Sequence, residues 1–295
     1  MYCPRFQHFI RVNTNGTFGL CGHMIDSPEF NSVDEVHQWS QTLADRPDEC
    51  IRCWELEDQG QPSIRQSAHE RDIVLSKIRS DYLIVGGTLD SYCNSACMTC
   101  SSHLSTKIAK LNGSVFVNDN YTKFQELPQE RIVELDINGG EPTYSKNYKH
   151  LLDNLPPNVK IIRINTNGSR YFEKVEELLQ KKIKVIVTLS LDGTEKVHDF
   201  VRWPIRWVDY TKTVEKYIEL RTKYTNLSLD FWTTLNRLNE ADLENIKVYA
   251  QECNIPHQYG LLNRPFELSI NNTNDEVFNQ YVKKQAELRG IKWQP

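Results

Sequence analysis

From Tyr82 onward the chain alternates between short apolar runs and stretches in which apolar residues recur every three or four positions. The runs Tyr82–Leu89, Ile132–Ile137, Val159–Ile164, Ile183–Leu191, Leu227–Thr234 and Gln258–Leu262 have the length and composition of strands. Between them, Leu104, Ile108 and Leu111 share one helical face, as do Tyr148, Leu151, Leu152 and Leu155. Phe172, Val175, Leu178 and Leu179 form a third face, and Trp207, Val214, Tyr217 and Ile218 a fourth. Asn239 is placed to cap a helix running through Leu243, Ile246 and Val248. This alternation predicts an α/β fold with a parallel sheet and right-handed crossovers. Six units suit an open, partial (β/α)6 TIM-like barrel better than a closed eightfold one. Asn112 to Glu130 shows no clear period and reads as a loop, and a last helix, Glu276 to Leu288, is expected to cover an edge.

The pattern before residue 80 is different. Arg11 to Cys21 reads as a β-hairpin turning at Asn15-Gly16, followed by a short helix from Asp34 to Leu43. Cys50-Ile-Arg-Cys53 comes after the helix-stopping Pro47. From Ser63 a connecting helix is expected to put Ile64, Ala68, Val74 or Leu75, and Ile78 near one face. The expected division is a cysteine-rich α+β module over 1–70, the barrel over 80–265 and a helical extension over 266–295. No flexible linker separates the first two, so they are expected to pack together.

A chain of 295 residues is long enough for one large domain and a small one. With 25% charged residues and a net charge of −4, it lacks the basic excess that an indiscriminate grip on nucleic acid requires. Lys181, Lys182 and Lys184 read as a solvated turn at the start of a strand. There is no apolar run of membrane-spanning length, and Met-Tyr-Cys-Pro-Arg-Phe lacks the apolar core of a signal peptide. A soluble, cytoplasmic protein without membrane or nucleic-acid partners is expected.

Cysteine usage sharpens this. Eight cysteines stand at 3, 21, 50, 53, 93, 97, 100 and 253, a clustering that indicates metal binding or redox work rather than a disulfide framework. Cys93-Asn-Ser-Ala-Cys97-Met-Thr-Cys100 follows the first barrel strand with no fourth cysteine nearby. Three sulfur ligands suit an iron–sulfur cube that keeps one iron open; a zinc knuckle or chance clustering is the plainer alternative. Ligands of parallel α/β sheets bind at the carboxyl ends of the strands. There stand Gly139-Gly140-Glu141-Pro142 after strand two, Thr166-Asn167-Gly168 after strand three and Ser190-Leu-Asp192-Gly193 at the end of strand four. Paired glycines let a ligand approach the backbone, and Glu141 beside them can meet an ammonium group. An ordinary turn would read the same way, and Asp192 could instead cap the next helix.

The three-then-two cysteine spacing resembles the radical S-adenosylmethionine (SAM) superfamily. The resemblance implies that Cys93, Cys97 and Cys100 hold three irons of a [4Fe–4S] cluster whose fourth iron chelates SAM. Gly139, Gly140 and Glu141 resemble the family's motif for the methionine amino group. Ser190 and Asp192 resemble its Ser-Leu-Asp-Gly segment, so that Ser190 and an arginine, Arg202 or Arg206, would contact the methionine carboxylate or ribose. Asn167 could join them or simply form its Asn-Gly turn, and His198 is expected to pack on its helix. Met98-Thr99 departs from the family, which has an aromatic residue immediately before the third cysteine.

Cys3, twelve residues, Gly16, four residues and Cys21 resemble the hairpin signature of SPASM and twitch modules, although in those relatives the module follows the barrel. Cys50 and Cys53 would complete four ligands for a second, auxiliary [4Fe–4S] cluster; a structural zinc site fits the same residues. Cys253 stands alone, either as a small buried side chain or as a hydrogen-atom donor to a substrate radical. By resemblance the reaction is reductive cleavage of SAM and hydrogen abstraction from a peptide or protein. A small-molecule dehydrogenase is the alternative, and flavodoxin or ferredoxin would be the electron donor. The rival from another class is a non-catalytic metal-binding or electron-transfer protein.

Overall fold

The computed structural model describes residues 3–115 and 117–293. The barrel strands are β3 (Leu83–Thr88), β4 (Ile132–Asn138), β5 (Ile161–Thr166), β6 (Lys184–Ser190), β7 (Leu227–Leu235) and β8 (His257–Leu261). Each pairs in parallel with the next, joined by helical crossovers, and the sheet does not close on itself. This is the open, partial barrel that the alternating pattern predicts. Its strands are buried where they meet the helices: Val85, Leu135, Ile162, Val187 and Phe231 share one core with Leu151, Val175 and Val214. The alternating positions of β5 and β7 are only half-buried or exposed and include Arg163, Asn165, Asp230 and Trp232.

The N-terminal hairpin forms as Asn15-Gly16 predicts, with β1 (Phe9–Val12) antiparallel to β2 (Phe18–Gly19) and Gly16 at φ +82°. β1 also pairs in parallel with β3, so one sheet runs across the boundary expected near residues 70 to 80. Gly87 permits this approach, because a Cβ there would stand 2.1 Å from the Val12 carbonyl oxygen. The connecting helix Ile64–Leu75 starts with a capping box between Ser63 and Gln66. It buries Ala68 and, of the pair Val74 or Leu75, Leu75, whereas Ile78 lies beyond the helix and is exposed, contrary to the expected face.

Three other local expectations change. Within Asn112 to Glu130 a short helix, Tyr121–Gln125, buries Phe124; one buried aromatic is too little to create a readable period. Phe116 lies outside the described residues. Asn239 does not cap the helix Leu243–Glu252, which follows a short turn at Glu240–Asp242. Its amide instead donates to the carbonyls of Asp192 and Thr234. The C-terminal helix Asp275–Arg289 sets Phe278 and Val282 against Met98 of the cysteine loop, together with Leu262 and Leu268. Among the described residues no helix is long and apolar enough to cross a membrane.

Candidate functional site

The cysteine loop leaves the carboxyl end of β3 and is tied down on several sides. Ala96 N donates to Trp203 O and Met98 N to Val201 O, both at 2.8 Å. Ser105 Oγ donates to Ser95 O at 2.6 Å, and Thr106 Oγ1 lies 3.2 Å from Cys93 N and 3.3 Å from Cys93 O. Cys93, Cys97 and Cys100 are all free thiols, the first two buried. Cys93 Sγ lies 3.2 Å and Cys97 Sγ 3.6 Å from the same Ser95 hydroxyl, so these sulfurs face a common region. Burial, then the neighbouring Cys97, pushes the Cys93 thiol up to about 11; burial, Cys97 and Cys93 push Cys100 up to about 12. Such a crowded trio ionises readily only when a positive group joins it, which suits the core of an iron–sulfur cluster. Among the described residues no group of three or more His, Cys, Asp or Glu is arranged to hold a single metal ion. A cube differs from a single ion in spreading its ligands over separate irons.

The glycines after β4 do something other than expected. An added Cβ at Gly139 would stand 2.3 Å from Thr88 Cγ2 and at Gly140 2.4 Å from Tyr92 O. The close approach they permit is therefore that of residues 88–92 of the chain itself, sealed by Glu141 N donating to Tyr92 O at 2.7 Å. Glu141 is buried, and its Oε1 accepts from Thr143 N, Thr143 Oγ1 and Thr166 Oγ1 while Oε2 accepts from Asn167 N at 2.7 Å. Most of its lone-pair sites are thus taken by the protein, three bonds falling on Oε1 and one on Oε2. Burial raises its pKa against the pull of these donors. Asn167 is more than a turn residue: its Nδ2 donates to Asn94 Oδ1 at 2.8 Å and Ser95 Oγ at 3.3 Å, joining the β5 loop to the cysteine loop.

Ser190 is half-buried at the end of β6. Asp192 does not cap the following helix, Glu195–Val201, whose N-cap is Thr194. It accepts from Arg202 Nη1 at 2.6 Å and from Thr234 N at 2.7 Å, so its role is to hold Arg202. Burial works against the Arg202 charge, but Cys97 and Asp192 more than offset it and raise its pKa. Its Nε is buried with no hydrogen-bond partner. Arg206, by contrast, is exposed at the start of the helix Trp207–Lys223, so of the two candidate arginines Arg202 is the one beside the thiols. His198 packs as expected, 4.6 Å from the Tyr210 ring, and burial followed by Arg202 lowers its pKa to about 3.

Cys253 is a correction. It follows the helix Leu243–Glu252, which returns the chain to the start of β8, the rim opposite the cysteine loop. Its thiol neighbours Tyr249 and its carbonyl accepts from Arg221 Nη2 at 3.2 Å, so the thiol stands at that opposite rim and not with the cysteine loop.

The four N-terminal cysteines do come together. Cys3, Cys21, Cys50 and Cys53 line one pocket with Arg5, His23 and Arg65, enclosing about 340 Å3 of atom-free space, part of it open to solvent. Arg5 Nη1 donates to Cys21 Sγ at 3.2 Å. Burial pushes the Cys3 thiol up to about 11, and burial with the other three cysteines pushes Cys50 up to about 12. The sequence reading missed Asn94, Ser95, Ser105 and Thr106, whose hydrogen-bonding side chains within and beside a cysteine motif were a usable signal. It also missed Arg289, for which no local signal exists.

Residues 91–250 match the Radical SAM superfamily, more than half of the chain, and the chain belongs to that superfamily. Mycofactocin maturase MftC from Mycobacterium ulcerans (strain Agy99) is 32% identical over 111 residues, which are 37% of this chain and 29% of that protein. MftC from Mycobacterium tuberculosis (strain ATCC 25618 / H37Rv) is 31% identical over 111 residues, covering 37% and 28%. The matched part thus spans less than a third of these curated relatives. Among solved structures, Streptococcus suis SuiB bound to precursor peptide SuiA aligns with a TM-score of 0.47 and 14% identity over 97% of this chain and 70% of that one. Native anSMEcpe with bound AdoMet and Cp18Cys peptide aligns with a TM-score of 0.43 and 18% identity, covering 70% and 59%.

Proposed function

We propose that the chain is a radical SAM enzyme that modifies a peptide or protein substrate. The observation that carries this reading is the trio of Cys93, Cys97 and Cys100 on one loop, with the charged Arg202 beside it and the β4, β5 and β6 loops around it. The class of substrate is supported by the maturase name of the matched relatives and by the resemblance of the N-terminal cysteines to SPASM and twitch modules. When bound, a [4Fe–4S] cluster and SAM supply reductive cleavage of the S–C5′ bond and a 5′-deoxyadenosyl radical that removes a substrate hydrogen atom.

The chain's own residues supply placement. Cys93, Cys97 and Cys100 each lose a proton on binding iron. Arg202, oriented by Asp192, offers its unpaired Nε to a carboxylate or ribose oxygen, with Ser190 at the neighbouring strand end. Glu141 and Asn167 lock the surrounding loops, and the glycines before Glu141 let the backbone of those loops meet. Cys3, Cys21, Cys50 and Cys53 would hold an auxiliary [4Fe–4S] cluster that accepts an electron from the product radical or anchors the substrate. Residues 1–70 then form the auxiliary module, 80–265 the catalytic barrel and 266–295 an extension. The setting is cytoplasmic, with flavodoxin or ferredoxin as electron donor.

The test is anaerobic reconstitution with iron and sulfide, followed by dithionite and SAM. Formation of 5′-deoxyadenosine is the expected result. Its absence from a chain carrying an intact cluster would favour a non-catalytic metal-binding protein.

A further inference from the structure

The cysteine loop is held from a second side by a residue outside the family match. Arg289 closes the C-terminal helix Asp275–Arg289 and is only 6% exposed. Its Nε donates to Ala96 O at 2.7 Å and its Nη2 to Cys97 O at 3.2 Å. Nη1 donates to Gln285 O and Gln285 Oε1 at 2.7 and 2.8 Å, which ties the guanidinium to its own helix. The next loop residue, Met98, is fully buried against Phe278 and Val282 of the same helix. This accounts for an apolar residue two before the third cysteine: it anchors the loop to the C-terminal helix.

The two arginines near the thiols differ in their compensation. Arg202 is paired with the Asp192 carboxylate, whereas the hydrogen bonds of Arg289 go to carbonyl and amide oxygens that carry no net charge. Burial opposes the Arg289 charge, while Cys97, Tyr281 and Cys100 favour it. A cluster gains negative charge on reduction, and a fixed cation close to it in a medium of low dielectric favours the reduced form.

We propose that Arg289 is a positioning residue of the cluster-binding loop, clamping the Ala96 and Cys97 carbonyls and holding behind the thiolates a positive charge, paired with no carboxylate among the described residues, that raises the reduction potential of the cluster they bind. The inference rests on the cluster reading above. It assigns to the C-terminal helix a part in tuning the site rather than covering it.

The test uses the full chain, reconstituted, as wild type, Arg289→Lys and Arg289→Gln. The midpoint potential of the cluster whose spectrum responds to SAM is measured by redox titration, with iron release to a chelator followed alongside. In Arg289→Gln the midpoint shifts to more negative potential and iron is released several-fold faster. Arg289→Lys keeps a charge without the planar fork, so it restores most of the potential while its iron is still released several-fold faster. Arg289→Gln with full iron content and the wild-type potential would overturn the proposal. If Arg289→Gln does not fold, Arg289→Lys decides: faster release at a near-normal potential supports the proposal, and wild-type release overturns it. A wild-type chain that takes up no cluster would overturn the underlying cluster reading instead.

Discussion

Cys93, Cys97 and Cys100 come from one eight-residue stretch that Ser105 and Thr106, just after it, help hold in shape, whereas Cys3, Cys21, Cys50 and Cys53 arrive from separate elements of residues 3–53. The first set faces two guanidiniums, Arg202 and Arg289, and has no fourth thiol; the second has four thiols and one hydrogen-bonded arginine, Arg5. The contrast teaches how each site depends on the fold. A contiguous loop brings its three thiols together by sequence, and bonds from Val201, Trp203 and Arg289 then hold its shape. A dispersed set exists only while the hairpin, the turn at Asp48–Cys50 and the helix Ile51–Asp58 remain packed. Three ligands leave a place for a cofactor, and four close a site to everything but electrons.

Substituting either site separates these roles. Cys97→Ala is expected to abolish 5′-deoxyadenosine formation, a loss on the order of a thousand-fold or more, and to remove about four irons per chain. Cys53→Ala is expected to remove a similar amount of iron and to stop product formation while leaving 5′-deoxyadenosine above background. Iron near four per chain in the wild type, instead of about eight, would show that the N-terminal site holds no cube. Chemical iron analysis and product chromatography check both expectations.

A smaller effect tests the barrel loops alone. Glu141→Gln replaces a carboxylate accepting four hydrogen bonds with an amide whose NH2 must face a donor. It is expected to cost about 2 kcal/mol, measured by denaturant unfolding. Cluster loading should show the sign of its pH dependence at both sites. Burial raises the thiol pKa values, Cys93 to about 11 and Cys3 to about 11, so loading releases protons and is favoured as pH rises. Reconstitution yield at pH 7 against pH 8.5 measures this.

The smallest effect concerns acid stability. His198 is fully buried with a pKa lowered to about 3, so between that value and about 6.5 the unfolded chain binds a proton that the native one does not. Stability is therefore present above about pH 6.5 and falls as pH drops, at up to about 1.4 kcal/mol per unit for this one group. His198→Phe keeps the packing on Trp207 and Tyr210 and should flatten the fall in melting temperature below pH 6.5. An unchanged slope would show that other groups carry it.

How far the fold was readable follows from what creates a pattern. Strands β3 to β7 were legible because each carries a run of buried apolar residues, with helices bearing apolar stripes between them. The hairpin was legible from Asn15-Gly16, but its union with β3 was not, since a pairing between residues 9–12 and 84–87 leaves no local trace. The motifs fall on neighbouring loops at one edge of the sheet, where some of their members bond to the chain itself. Gly139, Gly140 and Glu141 read as ligand contacts, yet their spacing serves a meeting of two loops of the chain, which has the same requirements of small size and hydrogen bonding. Asp192 and Arg202 could be recognised as a pair only once the nine residues between them were folded into a turn and helix. Cys253 was a question of which rim a helix ends on, and residue type alone cannot answer that.

The claim on which all this depends is that the Cys93, Cys97 and Cys100 site keeps one iron free for the amino and carboxylate groups of SAM. Electron–nuclear double resonance on the reduced chain, with SAM labelled by 15N at the amino group and 17O at the carboxylate, reads that contact directly. Hyperfine coupling to both labels, lost in Cys97→Ala, is the predicted result. An intact three-cysteine cluster that shows no coupling to either label would contradict it.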